Sequence, residues 1–336
     1  MDTTAIRTYT ANLEALKQRH HWTDTTFLRL AAMSLAAAGR DGGVEAMDAA
    51  ADELRKRGGW SSARTSPVRF VLAAMAVRRG LRADAVDEAA AATLAAFGRH
   101  GLARGGVQPY LAAFLMALQG GGAAAGDDTV ARMAAILGAW KKAHPWLTGR
   151  DDYPMAALHA LRGEDPLGLT QRLEMAYEAL HARGFTRGNQ LQLATHLLAV
   201  APLDGPGAAA RFADVAAALS ARGERVGASR YDEVALLSVL PGAPVALADE
   251  VLRLRDALRE AEGGSWFQRT FAGLPAETAL SLAVSLLLAQ AGSRGAEDLA
   301  DRAAVALAQA AVEAQQAAMV AVMVASTAAV TSTSHS

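Results

Sequence analysis

The chain has 336 residues, with 33 Lys and Arg against 34 Asp and Glu, no cysteine and 52% hydrophobic residues. That length and apolar content supply a full core for one large domain or two ordinary ones, and the lack of cysteine excludes disulfides, thiolate zinc sites and iron–sulfur clusters. A net charge of −1 gives no electrostatic footprint for nucleic acid or anionic lipid, so neither is an expected partner.

Alanine fills 81 of the 336 positions and aromatics only 5%. β-Branched residues are sparse beside it, and the composition indicates a soluble, all-α protein. Asp2, Arg7, Glu14 and Lys17 precede any apolar run, which excludes a secretory signal and points to the cytoplasm.

Along the chain, Ala-Leu-rich segments recur at about forty residues, each preceded by a large apolar residue in a turn. These anchors are Trp22, Trp60, Leu102, Trp146 and Phe185, at spacings of 38, 42, 44 and 39, with Val226 a weaker sixth 41 further on. Each unit reads as helix, glycine-containing turn, helix. In one of the first helices, Leu169, Leu173, Tyr177 and Leu180 form a single apolar stripe. Gly101, Gly184 and Gly223 stand where a helix ends in the left-handed conformation.

The predicted units are 10–39, 44–80, 86–120, 127–163, 165–201, 208–242 and 244–292. The last is degenerate, with helices at Val245–Glu262 and Pro275–Ala289 and Trp266–Phe267 inserted between them. Gly120–Gly126 and Leu203–Gly207 read as connecting loops. A unit of this size cannot bury its own face, so the units stack, either as a solenoid or as a compact α-α bundle. Trp22, Trp60, Trp146 and Phe185 are expected to be buried at equivalent positions.

No charged residue occurs from Ala314 to Ser336. The apolar residues there are mostly alanine, and Gln315 and Gln316 interrupt them, so a buried capping helix (293–330) with a flexible tail (331–336) is expected rather than a membrane span. Met319, Val320, Val322, Met323 and Val324 would pack on the preceding helices or on a second subunit, which makes this helix the candidate homo-oligomer surface.

Three stretches carry a resemblance to a known family. They are His144-Pro145-Trp146-Leu147-Thr148-Gly149-Arg150-Asp151-Asp152-Tyr153-Pro154, Gly184-Phe185-Thr186-Arg187-Gly188-Asn189-Gln190-Leu191-Gln192, and Glu313-Ala314-Gln315-Gln316-Ala317-Ala318-Met319. Together with the opening His21-Trp22 they resemble the bacterial domain-of-unknown-function family number four thousand and three. The first two stretches are the specific ones, and the family pattern has Phe where this chain has Trp146. The resemblance implies a cytoplasmic bacterial all-α protein and carries over no catalytic residue.

The densest polar cluster comprises His144, Asp151, Asp152, Tyr153, His159, Glu174, Asn189, Gln190, Gln192 and His196. One aligned position, ahead of each second helix, reads Arg69, Gln108, Asp152, Gln190 and Tyr231. In stacked units this position would form a polar row on a concave face, a groove for a peptide, a protein or a small polar ligand. Ordinary polarity of a helix's first turn explains the same residues.

No cofactor is required. Asp152 and His159 lie ~10.5 Å apart along a helix, too far for one ion. Asn189, Gln192 and His196 could meet Asp151 and Asp152 from the next unit, a set suited to Mg2+ or Mn2+ rather than zinc. The alternative reading of the two aspartates is a helix cap beside Pro154.

An isoprenoid-cyclase-like acid cluster is incomplete, because no further acid follows near i+4. No Gly-x-Ser-x-Gly nucleophile and no dinucleotide fingerprint is present. The expected function is non-enzymatic binding on the concave face. The alternative is an all-α enzyme with a carboxylate, amide and histidine site between the fourth and fifth units.

Overall fold

The computed structural model describes residues 3–37, 43–58, 63–201, 203–263 and 274–293. Among these the regular structure is fourteen α-helices and two 3-10 turns, with no strand. The helices are α1 (Thr3–Arg19), α2 (Thr25–Ala36), α3 (Gly43–Lys56), α4 (Val68–Arg78), α5 (Ala83–Arg99), α6 (Val107–Gln119) and α7 (Asp127–Ala143). They continue as α8 (Tyr153–Leu161), α9 (Pro166–Ala182), α10 (Asn189–Leu198), α11 (Gly205–Ser220), α12 (Tyr231–Ser238), α13 (Pro244–Glu262) and α14 (Ala276–Ser293). Arg150–Asp152 and Ala228–Arg230 are the 3-10 turns, ahead of α8 and α12. Within the described residues no helix is long and apolar enough to cross a membrane. Trp60, Trp266, Phe267 and the stretch expected to form the capping helix and tail, from residue 294 onward, lie outside the described residues.

These residues divide into two compact units. The first is built on Ala11–Gly138 with Thr148–Glu164; the second takes the described residues up to Thr10, Ala139–Leu147 and those from Asp165 onward. In the first, α2 packs on α4, α3 on α4 and α5, α5 on α6, and α6 on α8. In the second, α9 packs on α11, α10 on α12, α11 on α13, and α13 on α14.

Long and short helices alternate. The odd-numbered ones run 14 to 19 residues, and the even-numbered ones up to α12 run 8 to 13. The short ones are buried along most of their length: α6 from Gln108 to Leu118, and α4 at Phe70 through Ala76. A helix left with so little exposed surface must be enclosed by neighbours. The long ones are amphipathic. Helix α9 buries Leu169, Leu173, Ala176, Tyr177 and Leu180, which contains the predicted stripe.

Asp165 and Asp204 cap α9 and α11, accepting from Gly168 N at 2.7 Å and Gly207 N at 2.6 Å. Gly205, Pro206 and Gly207 therefore form the first turn of α11, not the loop read from the sequence. A β-carbon on Gly205 would stand 2.8 Å from Ala176 N, so α9 and α11 meet backbone to backbone there.

The predicted left-handed glycines are found. Gly101, Gly184 and Gly223 have φ of 71°, 93° and 81°. Nothing lies within 4 Å of a β-carbon built on Gly184, so Gly184→Ala carries backbone strain alone. It is expected to destabilise by ~1–2 kcal/mol, read as a shift in the denaturant midpoint.

The anchor reading is overturned at two positions. Trp22 is 93% exposed and Trp146 97% exposed, and Phe185 is only half-buried. The cause is local. Thr23 N donates to His20 O at 2.9 Å and Leu147 N to His144 O at 3.2 Å, so each tryptophan is the third residue of a tight turn whose apex points into solvent.

What recurs at the ends of the long helices is polar instead. His20 Nε2 meets Asp48 Oδ1 at 2.8 Å, Arg57 Nη2 meets Glu88 Oε1 at 2.7 Å, and His100 Nε2 meets Asp127 Oδ2 at 2.9 Å. His144 Nε2 meets Glu174 Oε1 at 2.7 Å, and Arg222 Nη2 meets Asp249 Oδ2 at 2.9 Å. Each basic group closes one long helix, and each acid lies on the next long helix. Exposed pairs of this kind contribute ~0–1 kcal/mol; what they add is register.

Candidate functional site

In the second unit the last turn of α7 faces α9 and α10. Trp140 and His144 stand four residues apart on one side of α7, and Leu173, Glu174 and Tyr177 share a side of α9. Gln192, Thr195 and His196 do so on α10. Together these eight line a small cleft that opens to solvent. Trp140 and His196 stack with ring centroids 4.0 Å apart and planes 20° apart. Tyr177 lies 5.2 Å from the His144 ring, and its hydroxyl accepts from Gly188 N at 3.1 Å, which fixes the α9–α10 turn. Thr195 Oγ1 donates to Gln192 O at 2.7 Å. Of the eight only His144 and Glu174 are partly exposed, and they meet at 2.7 Å. Four residues of the predicted polar cluster, His144, Glu174, Gln192 and His196, are thus brought together, while Asn189 and Gln190 are exposed at the start of α10. Trp140, Leu173, Tyr177 and Thr195 were read in the sequence as core or not read at all.

Asp151, Asp152 and Tyr153 belong to the first unit. Gln108 Nε2 donates to Asp151 Oδ1 at 3.1 Å, and Gly149 N donates to Asp152 Oδ2 at 2.8 Å. Asp152 thus closes the 3-10 turn and makes no side-chain cap to α8. Its carboxyl is pushed up to about 6, first by burial and then by the charge of Asp151, against the Gly149 hydrogen bond. The Tyr153 hydroxyl accepts from Ala103 N at 2.9 Å, and the Tyr231 hydroxyl from Thr186 N at 3.0 Å.

The expected polar row does not open onto a common surface. Gln108 is 9% exposed and Tyr231 4%. Arg69 turns back on its own turn, donating from Nη1 to Thr65 O and Ser66 O and lying 4.3 Å from the Phe70 ring centre. Of the five positions only Gln190 is exposed. The first turn of a short, enclosed helix is packed against loops, so polar groups there bond to its own preceding turn, as Arg69 and Asp152 do, or to the loop of a neighbouring helix pair, as Gln108 and Tyr231 do.

Two buried ionic groups went unread in the sequence. Asp87 on α5, 3% exposed, accepts from Arg64 Nε at 2.6 Å and from the Tyr110 hydroxyl at 2.7 Å. Burial, then the Asp87 charge, pushes the Tyr110 phenol far up.

Glu233 on α12, 4% exposed, accepts from Ser281 Oγ at 2.5 Å and stands 3.7 Å from Arg230 Nη1. Arg230 and Arg255 both pair with Glu224. Burial and neighbouring Asp232 raise the Glu233 carboxyl well above its ordinary value, with Ser281 and Arg230 opposing. The available signal was a charge within a short, mostly apolar helix.

A raised carboxyl stabilises the fold below the unfolded value of ~4.3, and that contribution is lost as pH rises through the folded value. Glu233→Gln should therefore flatten the loss of stability on the alkaline side of that range. Denaturant midpoints measured across pH would show the wild-type and variant curves diverging upward in pH.

Among the described residues no group of three or more His, Cys, Asp or Glu is placed to hold a metal ion. No curated protein and no solved structure matches the chain. One family model does, over residues 12–317, and it is described as a protein of unknown function (DUF4003). The match takes in both units, the cleft and the 148–153 turn, and so the chain belongs to the DUF4003 family.

Proposed function

We propose that the chain is a cytoplasmic helical-repeat protein that binds a peptide or protein partner, and that it does so through the turns joining its long helices to its short ones. The repeat reading is supported by long helices that begin at residues 3, 43, 83, 127, 166, 205 and 244, and by the basic-to-acid pair carried from one long helix to the next. The binding reading rests on the placement of Trp22 and Trp146. Both stand third in a turn that begins with a helix-ending histidine, and both leave nearly all of a tryptophan side chain in water. An aromatic of ~150–250 Å2 is the residue type most enriched among binding hot spots.

The enzyme alternative would need the His144–Glu174 cleft to hold a substrate. The space that a water-sized molecule can occupy there is about 10 Å3, room for roughly one water and not for a substrate. The binder is therefore the better reading.

Trp22→Ala and Trp146→Ala are expected to leave stability within ~0.5 kcal/mol of wild type, because neither side chain is packed. The test uses peptides selected from a random display library against the full chain. A loss of at least ~1.4 kcal/mol, or tenfold, in the tryptophan variants with unchanged melts supports the reading. Wild-type affinity in the double variant overturns it.

A further inference from the structure

The turn ahead of α8 gathers oxygen atoms in a way that its hydrogen bonds do not account for. Asp151 and Asp152 are adjacent acids; Gln108 Nε2 donates to the first and Gly149 N to the second. Gln108 itself is 9% exposed, and its Oε1 is buried without a hydrogen-bond partner. Covalent amide geometry puts that oxygen roughly 2.2 Å from Nε2, and Nε2 is 3.1 Å from Asp151 Oδ1. The unpartnered oxygen thus stands within about 5 Å of Asp151 Oδ1. Thr148 opens the same turn. It is 6% exposed, and its Oγ1 is also buried without a partner. Buried acceptors are nearly always satisfied by protein, water or an ion.

We infer that Asp151, Asp152 and the Gln108 amide oxygen, with the Thr148 hydroxyl beside them, form a binding site for a single hard divalent cation. Two carboxylates, an amide oxygen and a hydroxyl are an all-oxygen donor set. Such sets suit Mg2+ or Ca2+ and not zinc. Asp151 is exposed, so part of the coordination sphere would remain water, as Mg2+ requires. The cation would also offset the repulsion between two neighbouring carboxylates. The Arg150 guanidinium lies against the N-terminus of α6, its Nη1 3.7 Å from where a β-carbon of Gly106 would stand. The ligands come from the first turn of α6 and the turn ahead of α8, so binding would join two helix pairs of the first unit. This differs from the sequence expectation, which drew the remaining ligands from Asn189, Gln192 and His196. It is independent of the tryptophan reading above.

The probe is the metal alone, titrated into the full chain after exhaustive treatment with chelator. Calorimetry with Mg2+ should show saturable uptake of roughly one ion per chain, and the melting midpoint should rise with metal concentration. Asp151→Asn keeps the hydrogen bond from Gln108 and Gln108→Leu removes the amide; each should weaken binding at least about tenfold. Mn2+ should broaden the amide resonances of Thr148 to Asp152 in the wild-type protein, a readout that holds even where a variant fails to fold. Absence of saturable uptake at millimolar metal overturns the site and leaves an ordered water as the partner of Gln108. Uptake unchanged in both folded variants, or broadening confined to other residues, overturns it equally.

Discussion

Replacing Phe212 by alanine is expected to destabilise the protein by about 3–5 kcal/mol, seen as a lower denaturant midpoint with an unchanged slope. Phe212 on α11 has no exposed surface. It meets Phe185 edge-on at 4.9 Å and Tyr231 at 5.9 Å, and those two meet each other at 5.5 Å. Removing the ring leaves a cavity and also breaks two edge-to-face contacts, each worth ~0.5–1.5 kcal/mol beyond buried area. Phe185→Ala should be milder, because that ring is only half-buried. An effect below ~1 kcal/mol at Phe212 would mean that the neighbouring helices collapse into the space.

Asp87→Ala is the second substitution expected to cost about 3–5 kcal/mol, by a different mechanism. It removes the acceptor shared by Arg64 and Tyr110 and leaves Arg57, 3.9 Å away, without its buried counter-charge. Arg64 also sits 4.8 Å from the centre of the Tyr110 ring, so its position is held from two sides. A guanidinium left in that setting cannot discharge, since arginine stays protonated. Tyr110→Phe removes one bond to a charged group and should cost ~1.5–3 kcal/mol. In a double-mutant cycle the two losses should fall short of additive, because both act on the same carboxylate. Full additivity would show that Tyr110 and Asp87 are energetically separate.

The helices and their glycine stops were legible because they follow from periodicity and backbone geometry. The α9 stripe and the conformations of Gly101, Gly184 and Gly223 are cases of this kind. Trp22 and Trp146 were misread because hydrophobicity describes what a residue prefers, whereas a turn apex decides where it points. The cleft was half legible. His144, Gln192 and His196 stood out as polar residues, but Trp140 and Tyr177 look like any core aromatics until their neighbours are known. The Asp87 and Glu233 groups were harder to read for a simpler reason: the hydrogen-bond donors Arg64 and Ser281 lie 23 and 48 residues away, and no local spacing encodes such a pairing.

The tyrosine hydroxyls at the start of α8 and α12 impose an order on synthesis. Ala103 N waits for Tyr153, 50 residues later, and Thr186 N for Tyr231, 45 residues later. A nascent chain leaving the ribosome therefore carries each of these loops with an unmet amide until most of the next helix pair has emerged. Loop order is conferred backwards along the chain, from later segments to earlier ones. Truncation just before Tyr231 should accordingly speed hydrogen exchange at Thr186 while α9 stays protected, so that the boundary of protection trails the end of the polypeptide by about one helix pair.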